Sequence, residues 1–127
     1  MGEANTPYSG QPLVAALGGG HGLAVSLRAL RRVTDRVTAI VGVADDGGSS
    51  GRLRRERGIL PPGDLRMALA ALCDGDVRTR PWIDVLQFRF SDGAELSGHA
   101  LGNLLLSALW EGTSDPVLGL DELVGLL

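Results

Sequence analysis

The sequence lacks several features that would point to common functions. It has no lysine, so all 12 basic residues are arginines, and its net charge of −3 argues against a nucleic-acid partner. A single cysteine, Cys73, leaves no pair for an internal disulfide. No apolar run is long enough to span a bilayer, so no membrane partner is expected. These absences favour a cytoplasmic, globular protein.

The length and composition are those of one domain. The 127 residues are 44% apolar and carry charges of both signs, which is enough to bury a core. Residues 1–11 are polar and contain Gly and Pro, without the pattern of a signal peptide. We therefore expect a disordered tail over residues 1–11 and one domain over residues 12–127.

Strand and helix patterns alternate at the start of this domain. Residues 13–17 form a short apolar run, typical of a strand buried on both faces of a parallel sheet. Leu23, Leu27 and Leu30 recur at helical spacing, and residues 37–44 form a second β-branched run. This order predicts a right-handed βαβ unit. Because such sheets normally have more strands, we expect either a fragment of an α/β fold with a parallel sheet or a sheet that another segment completes.

The remainder is predicted to be loop and helix. Residues 45–63 are rich in Gly, Ser, Arg and Pro, which favours a loop with a short helix near residues 52–57. Asp64 is placed to cap the next helix, and residues 82–90 are ambiguous between helix and strand. A strong helix follows, with Leu101, Leu104, Leu105 and Ala108 on its apolar face. Asp115 and Pro116 predict the start of the last helix.

The first candidate site is a glycine loop between the first strand and the first helix. Gly18, Gly19, Gly20, His21 and Gly22 would let a phosphate approach the backbone and the helix N-terminus. The alternative is a tight turn that needs positive φ. The third glycine of a dinucleotide fingerprint is absent, which disfavours an NAD-type dehydrogenase.

The second candidate is the segment DDGGSSGR, which follows the second strand. Asp45 and Asp46 are candidate ligands of Mg²⁺ beside a diphosphate, and one of these acids could instead bind a ribose hydroxyl. Arg52 would provide a fork for phosphate. The alternative is a polar, flexible loop with an Asx turn.

Two further segments carry candidate polar groups. Asp64 is a candidate helix cap, metal ligand or general base, and Arg66 lies in the first turn of a helix, where a cation is disfavoured unless it binds an anion. His99 and Asn103, four residues apart, share a helix face that could bind a base, a sugar or a phosphate, or else serve only in capping.

In order and spacing, these four segments resemble the YvcK family of gluconeogenesis-factor-like proteins, which is related to CofD, the 2-phospho-L-lactate transferase of the deazaflavin pathway. The resemblance rests on GGGHGL, VADDGGSSGRLR, LPPGDLR and LSGHALGNLLL. It implies a cytoplasmic regulator that binds a UDP-sugar such as UDP-N-acetylglucosamine and acts in gluconeogenic growth, cell shape and cell-wall precursor metabolism. The resemblance also implies an alternative, a CofD-like transferase that uses a guanosine-diphosphate donor and Mg²⁺. In that case Asp45 or Asp64 is the candidate catalytic group.

The resemblance also implies a set of ligand-binding residues. They match the family's motifs and are Gly18, Gly19, Gly20, His21, Gly22, Asp45, Asp46, Gly47, Gly48, Ser49, Ser50, Arg52, Asp64, Arg66, His99, Gly102 and Asn103. Two positions depart from the pattern: many relatives have Thr where His21 stands and Asn where Met67 stands. Family members are longer than this chain, so the resemblance implies the N-terminal part of a Rossmann-like, three-layer α/β fold with a parallel sheet. A homo-oligomer remains an expectation.

Overall fold

The computed structural model describes residues 10–73 and 77–127. Within these residues the elements are, in chain order, β1 Val14–Gly18, α1 Gly20–Leu30, β2 Val37–Val41, α2 Gly48–Arg57, α3 Gly63–Cys73, α4 Arg80–Gln87, α5 Leu101–Thr113 and α6 Pro116–Leu126. The predicted disordered tail lies outside the described residues except for Gly10 and Gln11. Gln11 is fixed by its side-chain oxygen, which accepts the backbone N–H of Asp35 at 2.9 Å.

The predicted βαβ unit is confirmed. Strands β1 and β2 pair in parallel, with Val14 opposite Val37 and Gly18 opposite Val41. Helix α1 connects them and packs on the sheet through Leu23 and Leu27. The α/β class with a parallel sheet is therefore correct.

The two strands are not buried on both faces, as the apolar run had predicted. The face that includes Ala16 and Ala39 packs against α1 and α3. On the other face Leu17 is 73% exposed and Ile40 is 52% exposed. Side chains alternate across a strand, so one face of the sheet remains uncovered in the part of the chain that the structure describes.

Helix α3 joins two apolar clusters. Ala68 and Ala71 pack with α1 in the first cluster. Leu65 and Leu69 pack instead against the second cluster, which is built mainly by α4, α5 and α6 around Leu106. The position of α3 between the clusters fixes its N-terminus beside the carboxyl end of the sheet.

Helix α2 corrects the prediction of a mainly loop segment. Ten residues, Gly48–Arg57, are helical despite two glycines and two serines. Arg54, Arg55 and Arg57 stand in the last turn, where cations favour a helix. Gly58 then ends the helix in the left-handed conformation at φ 67°.

The starts of α6 and α3 were both predicted to be capped by an aspartate. Asp115 caps α6 as predicted, because its side chain accepts the N–H groups of Val117 and Leu118. Asp64 is not an N-cap, because α3 already begins at Gly63 and Asp64 lies inside its first turn. A carboxylate in this position still interacts favourably with the helix dipole.

The apolar face of α5 is rotated from its predicted position. The buried residues are Gly102, Asn103, Leu106, Ser107 and Trp110, whereas Ala108 is exposed. The leucine pattern misplaced the buried face of α5, because the N-terminal part of that face contacts polar groups around a pocket. Among the described residues, no helix is both long and apolar enough to cross a bilayer.

Candidate functional site

An open pocket of about 770 Å³ lies where the chain enters α1, α2 and α3. The entries to α1 and α2 follow the carboxyl ends of β1 and β2, the usual ligand position in open α/β sheets. The predicted ligand-binding residues that line it are Gly19, Gly20, His21, Asp45, Gly47, Gly48, Ser49, Ser50, Asp64, Arg66 and Asn103. Four separate sequence segments thus meet at one cavity.

Helix N-termini form the floor of this pocket. The N-cap residues of α1 and α2 are Gly19 and Gly47, and neither helix has a side-chain capping bond. The first residues of these helices, Gly20 and Gly48, have φ of 60° and 49°, a conformation that glycine adopts without strain. Uncapped N–H groups at a positive helix end are ready donors to an anion.

The glycine loop is held directly against the start of α3. A Cβ built on Gly19 would overlap Oδ2 of Asp64. The Gly63 N–H donates to Oγ of Ser50 at 2.9 Å, and a Cβ on Gly63 would overlap this same oxygen. Glycine is therefore required for the close approach of α1, α2 and α3 around the cavity.

Arg66 is a buried cation in the pocket wall. It is 3% exposed, and its Nε donates to Oδ1 of Asn103 at 2.8 Å. Its Nη1 donates to Oε1 of Gln87. Both partners are neutral amides, and Arg66 forms no salt bridge within residues 10–73 and 77–127.

Burial is the main reason why the pKa of Arg66 falls to about 10. The neighbouring positive charge of Arg89 lowers this pKa further, and the carboxylate of Asp64 raises it. A guanidinium still carries its full charge at neutral pH with such a pKa. The pocket thus presents a desolvated positive charge with free donor capacity.

The carboxylates are arranged differently from the predicted Asp45 and Asp46 pair. Asp45 lines the pocket, and its Oδ1 accepts the N–H of Gly47 at 3.0 Å, the predicted Asx turn. Asp46 turns away and pairs with Arg55 at 3.3 Å. Asp64, not Asp46, is the second carboxylate of the pocket. No group of three metal-ligating side chains occurs among the described residues.

Several predicted ligand residues support the pocket from outside it. Arg52, predicted to bind phosphate, donates instead to the backbone oxygens of Ser97 at 2.9 Å and Glu95 at 3.2 Å. His99 lies behind Ser49, and Gly102 faces the aliphatic part of Arg66. The remaining residues of this kind, Gly18 and Gly22, belong to the glycine loop but do not line the cavity.

The pocket also contains polar residues that no motif indicated. They are Arg28, Gln87 and Arg89. Arg28 follows His21 by two helical turns, so helical periodicity could have placed both on one face. Gln87 and Arg89 come from the end of α4 and the segment after it, where the sequence carries no local signal.

Comparison with known proteins identifies the family. Residues 14–127 match the family described as 2-phospho-L-lactate transferase CofD. This chain belongs to the CofD family.

Other members of the CofD family show how much of a longer protein this chain represents. The gluconeogenesis factor of Bacillus subtilis is 52% identical over 105 residues, covering 83% of this chain and 32% of the relative. That of Halalkalibacterium halodurans is 50% identical over 115 residues, covering 90% and 34%. A Mycobacterium leprae protein is 59% identical over 116 residues, covering 91% and 32%. The chain spans about a third of the length of these relatives.

A solved CofD-family structure has the same local fold. The crystal structure of a Bacillus halodurans member of the UPF0052 family is similar with a TM-score of 0.76 and 44% identity. The match covers 93% of this chain and 37% of that chain. The arrangement of strands and helices around the pocket is therefore that of the N-terminal part of a larger CofD-family fold.

Proposed function

We propose that this chain forms the phosphate-binding part of a cytoplasmic regulator that binds a nucleotide sugar. The ligand class is a UDP-sugar such as UDP-N-acetylglucosamine, and the processes are gluconeogenic growth, cell shape and cell-wall precursor metabolism. The gluconeogenesis-factor names of the relatives support the metabolic role. The observation that carries the ligand class is the buried, carboxylate-free Arg66 beside two uncapped helix N-termini.

A diphosphate fits the physical requirements of this pocket. The buried guanidinium of Arg66 lacks a counter-ion among the described residues, and a phosphate oxygen would supply one. The N–H groups at the starts of α1 and α2 would donate to other oxygens of the same diphosphate. A cavity of about 770 Å³ is also large enough for more than phosphate alone.

The sugar and base would then occupy the wider parts of the cavity. Asp45 and Asp64 offer acceptors for hydroxyl groups, and His21 offers a ring nitrogen at the pocket wall. This mixture of cations and carboxylates supports a ligand with both phosphate and hydroxyl groups.

Calorimetric titration of the full-length protein tests the proposal. UDP-N-acetylglucosamine is titrated with and without Mg²⁺, and GDP and NAD serve as controls. We expect saturable binding of the UDP-sugar and no saturable binding of NAD. A flat titration with the UDP-sugar in both conditions would refute the proposal.

One observation favours a second candidate, a CofD-like transferase. Asp45 and Asp64 both line the pocket, and two carboxylates beside substrate phosphates are a common setting for Mg²⁺. In that reaction these side chains would hold Mg²⁺, which supplies neutralisation of phosphate charge. Mg²⁺-dependent product formation with a guanylyl-lactyl donor and a deazaflavin acceptor would establish this activity, and absence of product would exclude it.

A further inference from the structure

Buried side chains behind the pocket form a continuous chain of hydrogen bonds. Nδ1 of His99 lies 2.8 Å from Oγ of Ser49. Nδ2 of Asn103 donates to the same Oγ at 3.0 Å. Oδ1 of Asn103 accepts from Nε of Arg66 at 2.8 Å, and Arg66 continues to Gln87. These hydrogen bonds connect the start of α2, the segment before α5 and the first turns of α5 and α3.

Chemistry determines the direction of the bonds that Asn103 makes. Arginine has donors only, so Asn103 must present its oxygen to Arg66 and its NH₂ group to Ser49. The Ser49 oxygen therefore accepts from Asn103 and has its one hydroxyl proton left to donate. Nδ1 of His99 is the acceptor within reach of this proton, which corresponds to the neutral tautomer with the ring proton on Nε2.

We propose that His99 is a positioning residue for the ligand pocket, acting through Ser49 and Asn103 on the guanidinium of Arg66. This inference rests on the proposed function only in assigning anion binding to Arg66. His99 is 4% exposed and does not line the pocket, whereas Ser49 and Arg66 do. Its effect on a ligand is therefore transmitted by the hydrogen-bond chain and not by contact.

Loss of the His99 acceptor would loosen the hydrogen-bond chain at Ser49. Without Nδ1, the Ser49 hydroxyl loses the partner that fixes its orientation, and Oγ no longer holds the NH₂ group of Asn103 in place. The Asn103 amide would then be less well fixed, and so would Oδ1, which accepts Nε–H of Arg66. The guanidinium would lose its fixed position although its charge is unchanged.

The surroundings of His99 favour the neutral ring. Burial is the main influence that lowers the pKa of His99, and Arg52 and Arg89 lower it further. Glu56 opposes them by raising this pKa. Arg52 and Glu56 belong to α2, and Arg89 follows α4, so the charged neighbours of His99 come from two separate segments of the chain.

Two substitutions separate the positioning role from a simple packing role. His99→Asn places an amide oxygen near the position of Nδ1 and so retains an acceptor for Ser49. His99→Leu retains bulk but removes the acceptor. If His99→Leu does not fold, Ser49→Ala interrupts the same chain with a smaller change of volume. Thermal unfolding of each full-length variant establishes that it is folded before it is tested.

Nitrogen NMR provides a readout that needs no ligand. In the wild type we expect His99 to have the tautomer with a proton on Nε2, and Arg66 to show a resolved, slowly exchanging Nε–H signal. The Arg66 signal should persist in His99→Asn and be lost in His99→Leu or Ser49→Ala. A proton on Nδ1 of wild-type His99, or an unchanged Arg66 signal in all variants, would overturn the inference.

Binding of UDP-N-acetylglucosamine and of inorganic pyrophosphate provides the second readout. His99→Asn should bind within about twofold of the wild type, and His99→Leu should bind about tenfold or more weakly. Equal losses in both variants would overturn the positioning role. If the wild type binds neither probe, the proposed function fails, and the Arg66 signal alone decides whether His99 positions the guanidinium.

Discussion

The absent side chain of Gly102 makes room for Arg66. A Cβ built on Gly102 would lie 2.6 Å from Cδ of Arg66 and 2.7 Å from the backbone oxygen of Leu86. The side chain of Arg66 therefore crosses α5 at Gly102, where no Cβ blocks it. Gly102 belongs to a predicted ligand-binding motif, and in the structure it acts by giving space to a residue that lines the pocket.

This contact predicts opposite results for two glycines of α5. Gly102→Ala should lower the free energy of unfolding by about 1–3 kcal/mol, because Arg66 and the backbone of Leu86 must move apart. Gly112→Ala is the control, since its Cβ would meet nothing within 4 Å. It should be neutral or stabilise by up to about 1 kcal/mol. Urea unfolding measures both, and a neutral Gly102→Ala would contradict the predicted clash.

Arg66 should be more important for binding than for folding. Arg66→Gln removes a buried charge that has no carboxylate partner among the described residues, so we expect stability within about 1 kcal/mol of the wild type. Its affinity for UDP-N-acetylglucosamine should fall at least about tenfold, because a charge-assisted bond is lost. Calorimetry and thermal unfolding measure the two effects. Arg32→Gln, an exposed change outside the pocket, should alter neither quantity.

The two acidic residues of the DDGG segment should behave differently. Asp45→Asn should weaken ligand binding with little change in stability, because Asp45 lines the cavity. Asp46→Asn should leave binding unchanged, because its partner is the exposed Arg55 and such surface pairs contribute about 0–1 kcal/mol. Titration of both variants with and without Mg²⁺ is the measurement. Equal losses of affinity would show that Asp46 contacts the ligand.

Leu106 should be the most sensitive leucine of α5 to truncation. It is fully buried in the second apolar cluster, so Leu106→Ala should cost about 2–5 kcal/mol. Leu118→Ala is the control, because Leu118 of α6 is 52% exposed. Denaturant unfolding of both variants checks the burial pattern. Similar small losses would show that the helix face is assigned wrongly.

His99 should make stability depend on pH in a recognisable way. Because burial lowers its pKa in the folded protein below the ordinary 6.5, the unfolded chain binds a proton first as pH falls. Its contribution to stability is therefore complete above 6.5 and declines as the solution is acidified from there towards the folded pKa, by up to about 1.4 kcal/mol per pH unit. His99→Asn should show a shallower decline over this window. Urea unfolding of both proteins at several pH values is the measurement. If His99 were freely protonated in the folded state, the wild type and His99→Asn would lose stability equally as the pH falls.

The features predicted correctly from the sequence depend on short-range physics. The βαβ unit follows from two apolar runs and one helical period, and the α6 start follows from Asp115 and Pro116. Each signal lies within a few residues of the element that it specifies. Long-range context was not needed.

The features that were missed depend on partners far along the chain. Helix α2 has distant partners that its glycine-rich sequence does not reveal: Oγ of Ser50 accepts the N–H of Gly63, and Oγ of Ser49 contacts His99 and Asn103. Glycine content alone suggested a loop. Similarly, Gln87 and Arg89 enter the pocket only because α4 packs against α5, and no local pattern encodes that packing.

The family motifs indicated the segments that meet at the candidate pocket, but not the contacts that each side chain makes there. Spacing predicted that His99 and Asn103 share a helix face, which is wrong because α5 begins only at Leu101 and His99 precedes it. Both side chains nevertheless contact Oγ of Ser49. Spacing could not show that Arg52 supports a turn through backbone oxygens, whereas Arg66 lines the cavity. Which side chain contacts a ligand and which one supports it is decided by tertiary contacts.

The meeting of the starts of α1, α2 and α3 at one cavity has a consequence for rigidity. These starts are separated along the chain, and a single bound anion would connect all of them as a non-covalent cross-link. At a ligand concentration of about a hundred times Kd, this link adds about 2.7 kcal/mol to stability. Backbone amides of the three helices would then exchange more slowly as a group. The rigidity of the three helix starts would therefore increase with the concentration of the ligand that fills the cavity.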